Sequence, residues 1–327
     1  MLVASTRLAS TFRCTAAVAK SRGVRRCRRV AGGCGSWLVA LLMAGCATVP
    51  DRPGLQASTP EGLALLDRAL AAHGGAAIEE LTNVAVAYDG TWHGFVERFQ
   101  PVLVDIEHRG RSEERILYPD LWTGQRHTGP GGTKYVSRDA DGTTLWYDGV
   151  RDAVGAEAND VGTPEDRRDA AQGVVDGYAL FLLGPMYLAA RDAPVDVAEP
   201  VTIDGRPCDQ LIAVLRPGFG RSEEDRVVLA IDRADGLVRR IRFTFDALPQ
   251  LEGTVADVLP SEYVRIDGIA WPTQFVEVVK NPLVNLTVHR WHVTGLDTNR
   301  GIDASHLDGP DFTGPAAAPA GVRAPSP

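Results

Sequence analysis

The chain has 327 residues, and its 34 Lys and Arg against 42 Asp and Glu give a formal net charge of −8 at pH 7. An acidic chain is unsuited to a nucleic-acid partner, because binding to phosphates requires a basic face. It is equally unsuited to electrostatic docking on anionic lipid headgroups.

The first 45 residues have the pattern of an export signal. They contain eight basic residues and no Asp or Glu, and they end in an apolar run from Trp37 to Ala44. That run is too short to span a bilayer as a helix, but it fits the apolar region of a signal peptide. We therefore expect residues 1–45 to be a signal peptide, which leaves 26 basic and 42 acidic residues in the remainder.

The segment Leu41–Cys46 (LLMAGC) resembles a bacterial lipobox, at which the signal peptide is cut and the new N-terminal cysteine is acylated. Cys46 is therefore the predicted site of lipid attachment, with acyl chains such as palmitate as a membrane anchor. Ala47 follows, which in Gram-negative lipoproteins resembles the signal for the outer membrane, facing the periplasm. The alternative is an ordinary cleaved signal peptide in which Cys46 is incidental.

Residues 46–58 are polar and contain two prolines and a glycine, which predicts a flexible tether behind the anchor. Of the five cysteines, three leave with the signal peptide and Cys46 is acylated, so that Cys208 remains alone. No intramolecular disulfide is then expected, although the compartment is oxidising.

Two helices are predicted after the tether. Thr59-Pro60 is a typical N-cap followed by a first helical residue, and Gly74-Gly75 marks the end of that helix. Thr163-Pro164 repeats the opening signal, and Gly184-Pro185 interrupts the second helix. The stretch 178–188 is very apolar, so it must be covered by other parts of the chain.

Short segments of alternating polarity, separated by Asp-Gly turns, predict two antiparallel meanders rather than a βαβ sheet. The strand segments expected in the first meander are 83–88, 102–108, 114–118, 121–126, 134–138 and 143–147. Those expected in the second are 201–203, 209–215, 226–231, 237–245, Val255 with 263–266, 269–276 and 283–293. Residues 59–312 are thus expected to form one mainly β (α+β) domain, followed by a disordered Ala/Pro-rich tail over 313–327.

Four segments carry a resemblance to a known family: Leu66–Gly75 (LDRALAAHGG), Val201–Asp209 (VTIDGRPCD), Leu229–Arg240 (LAIDRADGLVRR) and Tyr263–Phe275 (YVRIDGIAWPTQF). In this order they resemble the outer-membrane lipoprotein-sorting superfamily, the LolA/LolB-like proteins. The resemblance implies an incomplete antiparallel β-barrel that is covered by two or three helices and holds an acyl chain in its apolar interior. With an anchor at Cys46, the chain resembles the membrane-bound acceptor more than the soluble shuttle.

Large apolar side chains on the predicted strands and on the second helix are the candidates for lining such a cavity. They are Tyr88, Trp122, Trp146, Tyr178, Phe181, Leu182, Phe243, Trp271, Phe275 and Trp291. Plain core packing is the alternative for each of them.

Catalytic and metal motifs are not found in the sequence. There is no G-x-S-x-G elbow, P-loop, dinucleotide loop or H-E-x-x-H motif. Asp105 and the pair Glu113-Glu114 are interpreted as solvated surface charge. We therefore predict no enzyme activity, no catalytic residue, no metal and no cofactor; the expected partner is a lipid or the acyl chain of a lipoprotein.

Two other functions stay open at this point. One is a non-enzymatic envelope scaffold of the same fold whose interior is filled by its own side chains. The other is a periplasmic enzyme whose site is not visible in the sequence. A large apolar cavity beneath residues 171–188 would favour lipid binding, whereas a filled interior would favour the scaffold.

Overall fold

The computed structural model of the chain describes residues 49–50, 54–151, 162–245, 254–280, 285–309 and 312. The predicted signal peptide, Cys46 and the tail beyond residue 312 lie outside these residues. The helices that it describes are α1 (Pro60–His73), α2 (Ala76–Glu79), α3 (Gly94–Phe99), α4 (Pro101–Val104), α5 (Pro164–Leu183) and α6 (Pro185–Ala190). None of these helices has both the length and the apolar character needed to cross a bilayer.

Helix α1 begins and ends at the predicted signals. The hydroxyl oxygen of Thr59 accepts a hydrogen bond from the backbone N–H of Gly62 at 3.1 Å, and Pro60 is the first helical residue. At the other end the N–H of Gly74 donates to the carbonyl of Leu70. The prediction for this helix is confirmed.

Helix α5 also begins where the sequence predicts. Thr163 and Asp166 form a reciprocal capping box, and the helix ends at Gly184, whose φ of +55° favours glycine. Pro185 then starts α6. Every residue of α5 from Gly173 to Leu183 is buried, so this helix must have neighbours on all sides.

Fifteen strands are described. They are β1 (Asn83–Trp92), β2 (Arg111–Leu117), β3 (Thr123–Gly129), β4 (Gly132–Asp139), β5 (Gly142–Tyr147), β6 (Val150–Arg151), β7 (Val195–Ile203), β8 (Arg206–Leu215), β9 (Asp225–Asp232), β10 (Val238–Thr244), β11 (Val255–Ser261), β12 (Val264–Ile266), β13 (Ile269–Trp271), β14 (Gln274–Lys280) and β15 (Asn285–Thr298).

Thirteen of these strands form one sheet in the order β6-β5-β4-β3-β2-β1-β15-β14-β11-β10-β9-β8-β7, and β12 and β13 form a separate hairpin. Neighbouring strands are antiparallel throughout, and the pair β1–β15 joins the two meanders, with Val86 opposite Leu296. The end strands β6 and β7 do not pair with each other, so the sheet is an open barrel. The predicted fold class, an incomplete antiparallel barrel with helices, is confirmed.

The helices α5 and α6 lie in the chain between the two end strands of the sheet. Both contribute to a single apolar cluster that includes Val86, Leu296 and Ile241 from the sheet and Leu180 and Met186 from the helices. We call the side of the sheet that carries this cluster the inner face. The helix pair therefore covers the open side of the barrel.

One predicted strand is wrong. The segment 102–108 is not a strand, because Pro101 starts the short helix α4 and Asp105 ends it in the left-handed conformation, with φ +44°. Proline fits the first turn of a helix, where its missing N–H is not needed. Alternation over so few residues could not distinguish the two structures.

The segment that precedes α1 contacts the sheet. Val49 is 5% exposed and packs with Ile212 and Val228 on the outer face. Farther along, the hydroxyl of Ser58 accepts a hydrogen bond from the N–H of Val195 in the end strand β7 at 3.1 Å. These described residues of the predicted tether are therefore held on the domain.

Candidate functional site

The inner face of the sheet has an apolar part and a polar part. Strands β8, β9 and β10 contribute Leu211, Leu229 and Ile241 to the apolar cluster. Strands β2, β3 and β4 instead carry buried polar side chains on the inner face: Ser112, Glu114, Gln125, His127 and Lys134. The register places them there, because Glu114 lies opposite Val86 on one side and opposite Gln125 on the other.

Eight of the ten predicted lining residues come together in the apolar part. They are Tyr88, Tyr178, Phe181, Leu182, Phe243, Trp271, Phe275 and Trp291, and all are buried. They reach this place from β1, α5, β10, β13, β14 and β15. The sequence therefore selects a set of residues that converge in space.

These aromatic side chains contact one another rather than surround a void. The rings of Phe275 and Trp291 stack at 5.0 Å between centroids, and Tyr178 lies 5.3 Å from Trp291. Phe181 lies 5.2 Å from Phe243. In this state the side chains themselves fill the space between the sheet and α5.

Trp122 and Trp146 are not part of this group. Trp122 is half-buried and lines an outer groove of ≈ 370 Å³ together with Asp139, Asp141 and Asp308. Trp146 lies beneath Gly309. This glycine belongs to the C-terminal segment, which crosses the same side of the sheet. The structure thus separates these two from the other eight.

A hydrogen-bonded chain runs through the polar part. The amide nitrogen of Gln125 donates to Oε1 of Glu114 at 2.9 Å, and its Oε1 lies 3.0 Å from Nε2 of His127. The other carboxyl oxygen of Glu114 is buried without a hydrogen-bond partner in the described structure. Beside this chain, Lys134 forms an ion pair with Asp105 at 2.6 Å.

A narrow cavity of ≈ 20 Å³ lies at the end of the polar part. Its lining includes Trp92, Arg109, His127, Tyr178, His289 and Trp291, and we call it the Arg109 cleft. Nη2 of Arg109 donates to the hydroxyl oxygen of Tyr178 at 3.1 Å, and this hydroxyl lies 3.2 Å from Nδ1 of His289. The His289 ring is sandwiched between Trp92, at 3.9 Å, and Trp291, at 4.5 Å.

Burial sets the protonation states of this part. It raises the pKa of Glu114 from 4.5 to about 8 and that of Glu277 to about 7, although the charge of Arg109 opposes both shifts. It lowers the pKa of His127 and His289 well below the usual value, and Arg109 adds to this effect. Both histidines are therefore neutral at pH 7, and Glu114 is mostly protonated.

Two charged positions differ from the sequence interpretation. Glu114 is 1% exposed rather than solvated, whereas its neighbour Glu113 forms a surface-side ion pair with Arg126. The carboxylate of Asp105 is mostly buried and forms an ion pair with Lys134 rather than lying in solvent. Alternation along β2 could have indicated the buried position, since Glu114 and Ile116 are two residues apart and share a strand face. Arg109, just before β2, has no comparable signal.

The sequence matches no family model and no curated protein. Comparison of folds finds a LolA superfamily protein from Nitrosomonas europaea, with 9% identity and a TM-score of 0.44 over 78% of this chain and 100% of that one. A DUF1329 family protein from Desulfovibrio piger has 12% identity and a TM-score of 0.41, over 76% and 98%.

A third match is the lipoprotein LppX from Mycobacterium tuberculosis, with 11% identity and a TM-score of 0.26 over 77% of this chain and 100% of that one. At these identities and TM-scores, the matches carry no conclusion about what this chain binds. The superfamily named by one of them is the one that the sequence motifs resemble: the LolA-like proteins.

Proposed function

We propose that this chain is a cell-envelope protein that binds an acyl chain, from a lipid or from a lipoprotein, between the inner face of the sheet and the helices α5 and α6. The observation that carries the proposal is the helix pair that covers the open side of the barrel with a buried and mostly apolar surface. Removing that cover would expose the apolar part of the inner face. The role is binding without turnover.

The helix pair is held to the sheet mainly by side-chain packing. Among its polar contacts, Asp176 accepts a hydrogen bond from Nε of Arg138 at 2.8 Å, and Gln172 donates to the carbonyl of Gly220 at 2.7 Å. Side-chain contacts can be exchanged for contacts with a ligand, whereas the strand ladder stays intact. Gly184, between the two helices, is a natural place for a change of direction.

The energy scale is compatible with an exchange of this kind. Burying a chain of about 14 methylenes contributes at most about 11 kcal/mol, at about 0.8 kcal/mol each. Displacing aromatic side chains such as Phe181 and Trp291 from their mutual contacts costs part of that amount. Net binding is then moderate, which suits a protein that must release its ligand.

The finer parts of the proposal concern location. We propose acylation at Cys46, attachment to the outer membrane facing the periplasm, and a part in lipid or lipoprotein sorting. Their support is the lipobox-like segment Leu41–Cys46 and the motif resemblance.

A non-enzymatic scaffold is the second candidate. The contacts that favour it are the ring stack of Phe275 and Trp291 and the close packing of Phe181 with Phe243, because they leave the interior filled. The same contacts are expected of a ligand-free binding protein whose cover is closed.

The test uses the chain from residue 47, which contains every residue of the described fold, exported to the periplasm and purified without detergent. Organic extraction and mass spectrometry should find lipid or acyl-protein at about one per chain. The emptied protein should then take up a fluorescent fatty acid. A protein that arrives empty and does not bind the fatty acid would favour the scaffold.

A further inference from the structure

Arg109 is a buried cation without an acidic partner. It is 6% exposed, and its Nη1 donates to the carbonyl of Leu103 at 2.7 Å and its Nη2 to Tyr178 at 3.1 Å. Within the described ranges no Asp or Glu forms an ion pair with it. Burying an uncompensated charge is costly, so a position of this kind calls for an explanation.

The surroundings of Arg109 compensate its charge only in part. The guanidinium lies 4.9 Å from the ring centroid of Trp92 and 5.5 Å from that of Tyr178, which are cation–π contacts. Two hydrogen bonds also use only part of the five N–H groups of an arginine. The remaining donors suit the oxygen atoms of an anion.

The nearby acidic groups supply that negative charge only in part. The raised pKa of Glu114 leaves it mostly uncharged near neutral pH, and Glu277, with a pKa of about 7, is only partly ionised there. The carboxylate of Asp105 is already bound to Lys134. The charge of the buried Arg109 is thus balanced only in part by the neighbouring carboxyl groups.

Arg109 lines the Arg109 cleft, so a bound anion could reach the guanidinium through this cavity. Its ≈ 20 Å³ is about the space of one water molecule, so it can take one oxygen atom of a charged group but not a hydrocarbon chain. Arg111 and Asp89, which form an ion pair at 3.5 Å, also line it on a more exposed side.

The cleft adjoins the apolar part of the inner face. Trp291 and Tyr178 line the cleft, and both also contact Phe181 within the apolar cluster, at 5.9 and 6.1 Å. A ligand with an anionic end and an acyl chain could place its charge at Arg109 and its chain beyond Trp291. The polar part of the inner face alone would not accommodate the acyl chain, and the apolar part alone would not bind the anionic end.

We propose that Arg109 binds the anionic end, a carboxylate or a phosphate, of the amphiphile whose acyl chain lies against the apolar part of the inner face. This inference rests on the proposed function, and it narrows the ligand from acyl chains in general to anionic amphiphiles. Tyr178 and His289 are positioning residues in it, because they fix the guanidinium from one side through the hydrogen bonds described above.

The test compares ligands with the same chain and different ends. Oleate, oleyl phosphate and oleyl alcohol are titrated, below their critical micelle concentrations, into the chain from residue 47, with tryptophan fluorescence and native mass spectrometry as readouts. We expect at least one of the two anions to bind ten times or more tightly than the alcohol. The order of oleate and oleyl phosphate identifies the carboxylate or the phosphate as the preferred group.

Substitution of Arg109 then separates charge from packing. Arg109→Gln should remove the preference, because it weakens binding of the two anions and leaves the affinity for the alcohol within about twofold. Arg109→Lys should retain part of the preference. The control Arg290→Gln, at an exposed arginine that does not line the cleft, should retain it in full. Circular dichroism confirms that each variant is folded. The comparison of the three ligands on the unmodified protein needs no variant.

The outcomes distinguish the two proposals. Equal affinity of the unmodified protein for the two anions and the alcohol would overturn the role of Arg109 and leave acyl-chain binding intact. An undiminished preference in Arg109→Gln would overturn the role of Arg109 as well. Displacement of bound oleate by inorganic phosphate at equal concentration would make a free anion the occupant and overturn the headgroup assignment. Failure of all three ligands to bind would overturn both proposals.

Discussion

Replacing Glu114 with Gln should make the protein more resistant to unfolding as the pH rises. The carboxyl of Glu114 is fully buried on the inner face, and one of its oxygens has no hydrogen-bond partner in the described structure. Burial raises its pKa from 4.5 to about 8. The folded protein therefore holds a proton that the unfolded chain releases at lower pH.

The size of the effect follows from these two pKa values. The contribution of this proton to the free energy of unfolding is fully present below pH 4.5 and is lost as the pH rises through 8. Folding takes up a proton at Glu114, and the solution supplies protons less readily as the pH rises. The loss is about 3 kcal/mol at pH 7 and about 5 kcal/mol above pH 8, at about 1.4 kcal/mol per pH unit. Glutamine at this position has no proton to take up, so it removes this pH dependence.

The assay is urea unfolding followed by tryptophan fluorescence at pH 5, 7 and 9, for the unmodified protein, Glu114→Gln and the control Glu113→Gln. The amide of the new glutamine adds an offset that is the same at every pH, so the change with pH is the quantity of interest. The stability of Glu114→Gln relative to the unmodified protein should rise by several kcal/mol from pH 5 to pH 9.

The control carries its change on the other face of the same strand. Glu113 pairs with Arg126 at 2.5 Å and is partly exposed, so its loss should lower the free energy of unfolding by about 1 kcal/mol or less. A difference between Glu114→Gln and the unmodified protein that is equal at pH 5 and pH 9 would refute the assignment of a neutral buried carboxyl.

Three further predictions concern the anchor, the core and the cap of α5. Cys46→Ala should release the protein from the membrane fraction, whereas Cys208→Ala, at the buried cysteine of β8, should not; continued sedimentation of the first variant with membranes would contradict acylation. Phe243→Ala removes a ring that contacts Phe181 and Phe219, and should lower the free energy of unfolding by about 3–5 kcal/mol, against less than about 0.5 kcal/mol for the exposed control Leu63→Ala. Thr163→Ala removes the capping hydrogen bond to Asp166 and should cost about 1 kcal/mol in urea unfolding, and an unchanged midpoint would show that the cap does not contribute.

The local signals of the sequence predict most of the fold. The caps at Thr59 and Thr163 and the stop at Gly184 act within a few residues, so they can be read without knowing the partners of each helix. The Asp-Gly turns likewise predict the meanders. The pairing of β1 with β15 depends on residues about two hundred positions apart, and only the family resemblance implied an incomplete barrel of this kind.

The candidate site was predictable only in its apolar part. Large aromatic residues such as Phe275 and Trp291 are usually buried, so selecting them finds residues that meet in the core. Glu114 and Arg109 are exceptions to the rule that charged residues are mostly exposed, because both are buried. The alternation of β2 indicates the face on which Glu114 lies, but Arg109 precedes the strand, and its burial depends on contacts with distant residues such as Tyr178.

The contact of Val49 with the outer face determines which way an anchored protein would face. Only two residues lie between it and Cys46, so the two positions are at most about 11 Å apart along an extended chain. Anchored at Cys46, the domain would lie with the outer face of its sheet toward the bilayer. Helices α5 and α6 lie on the inner face and would point away from the bilayer, into the periplasm. We therefore expect a ligand to arrive from the aqueous side, handed over by a soluble donor, rather than by lateral entry from the membrane beneath.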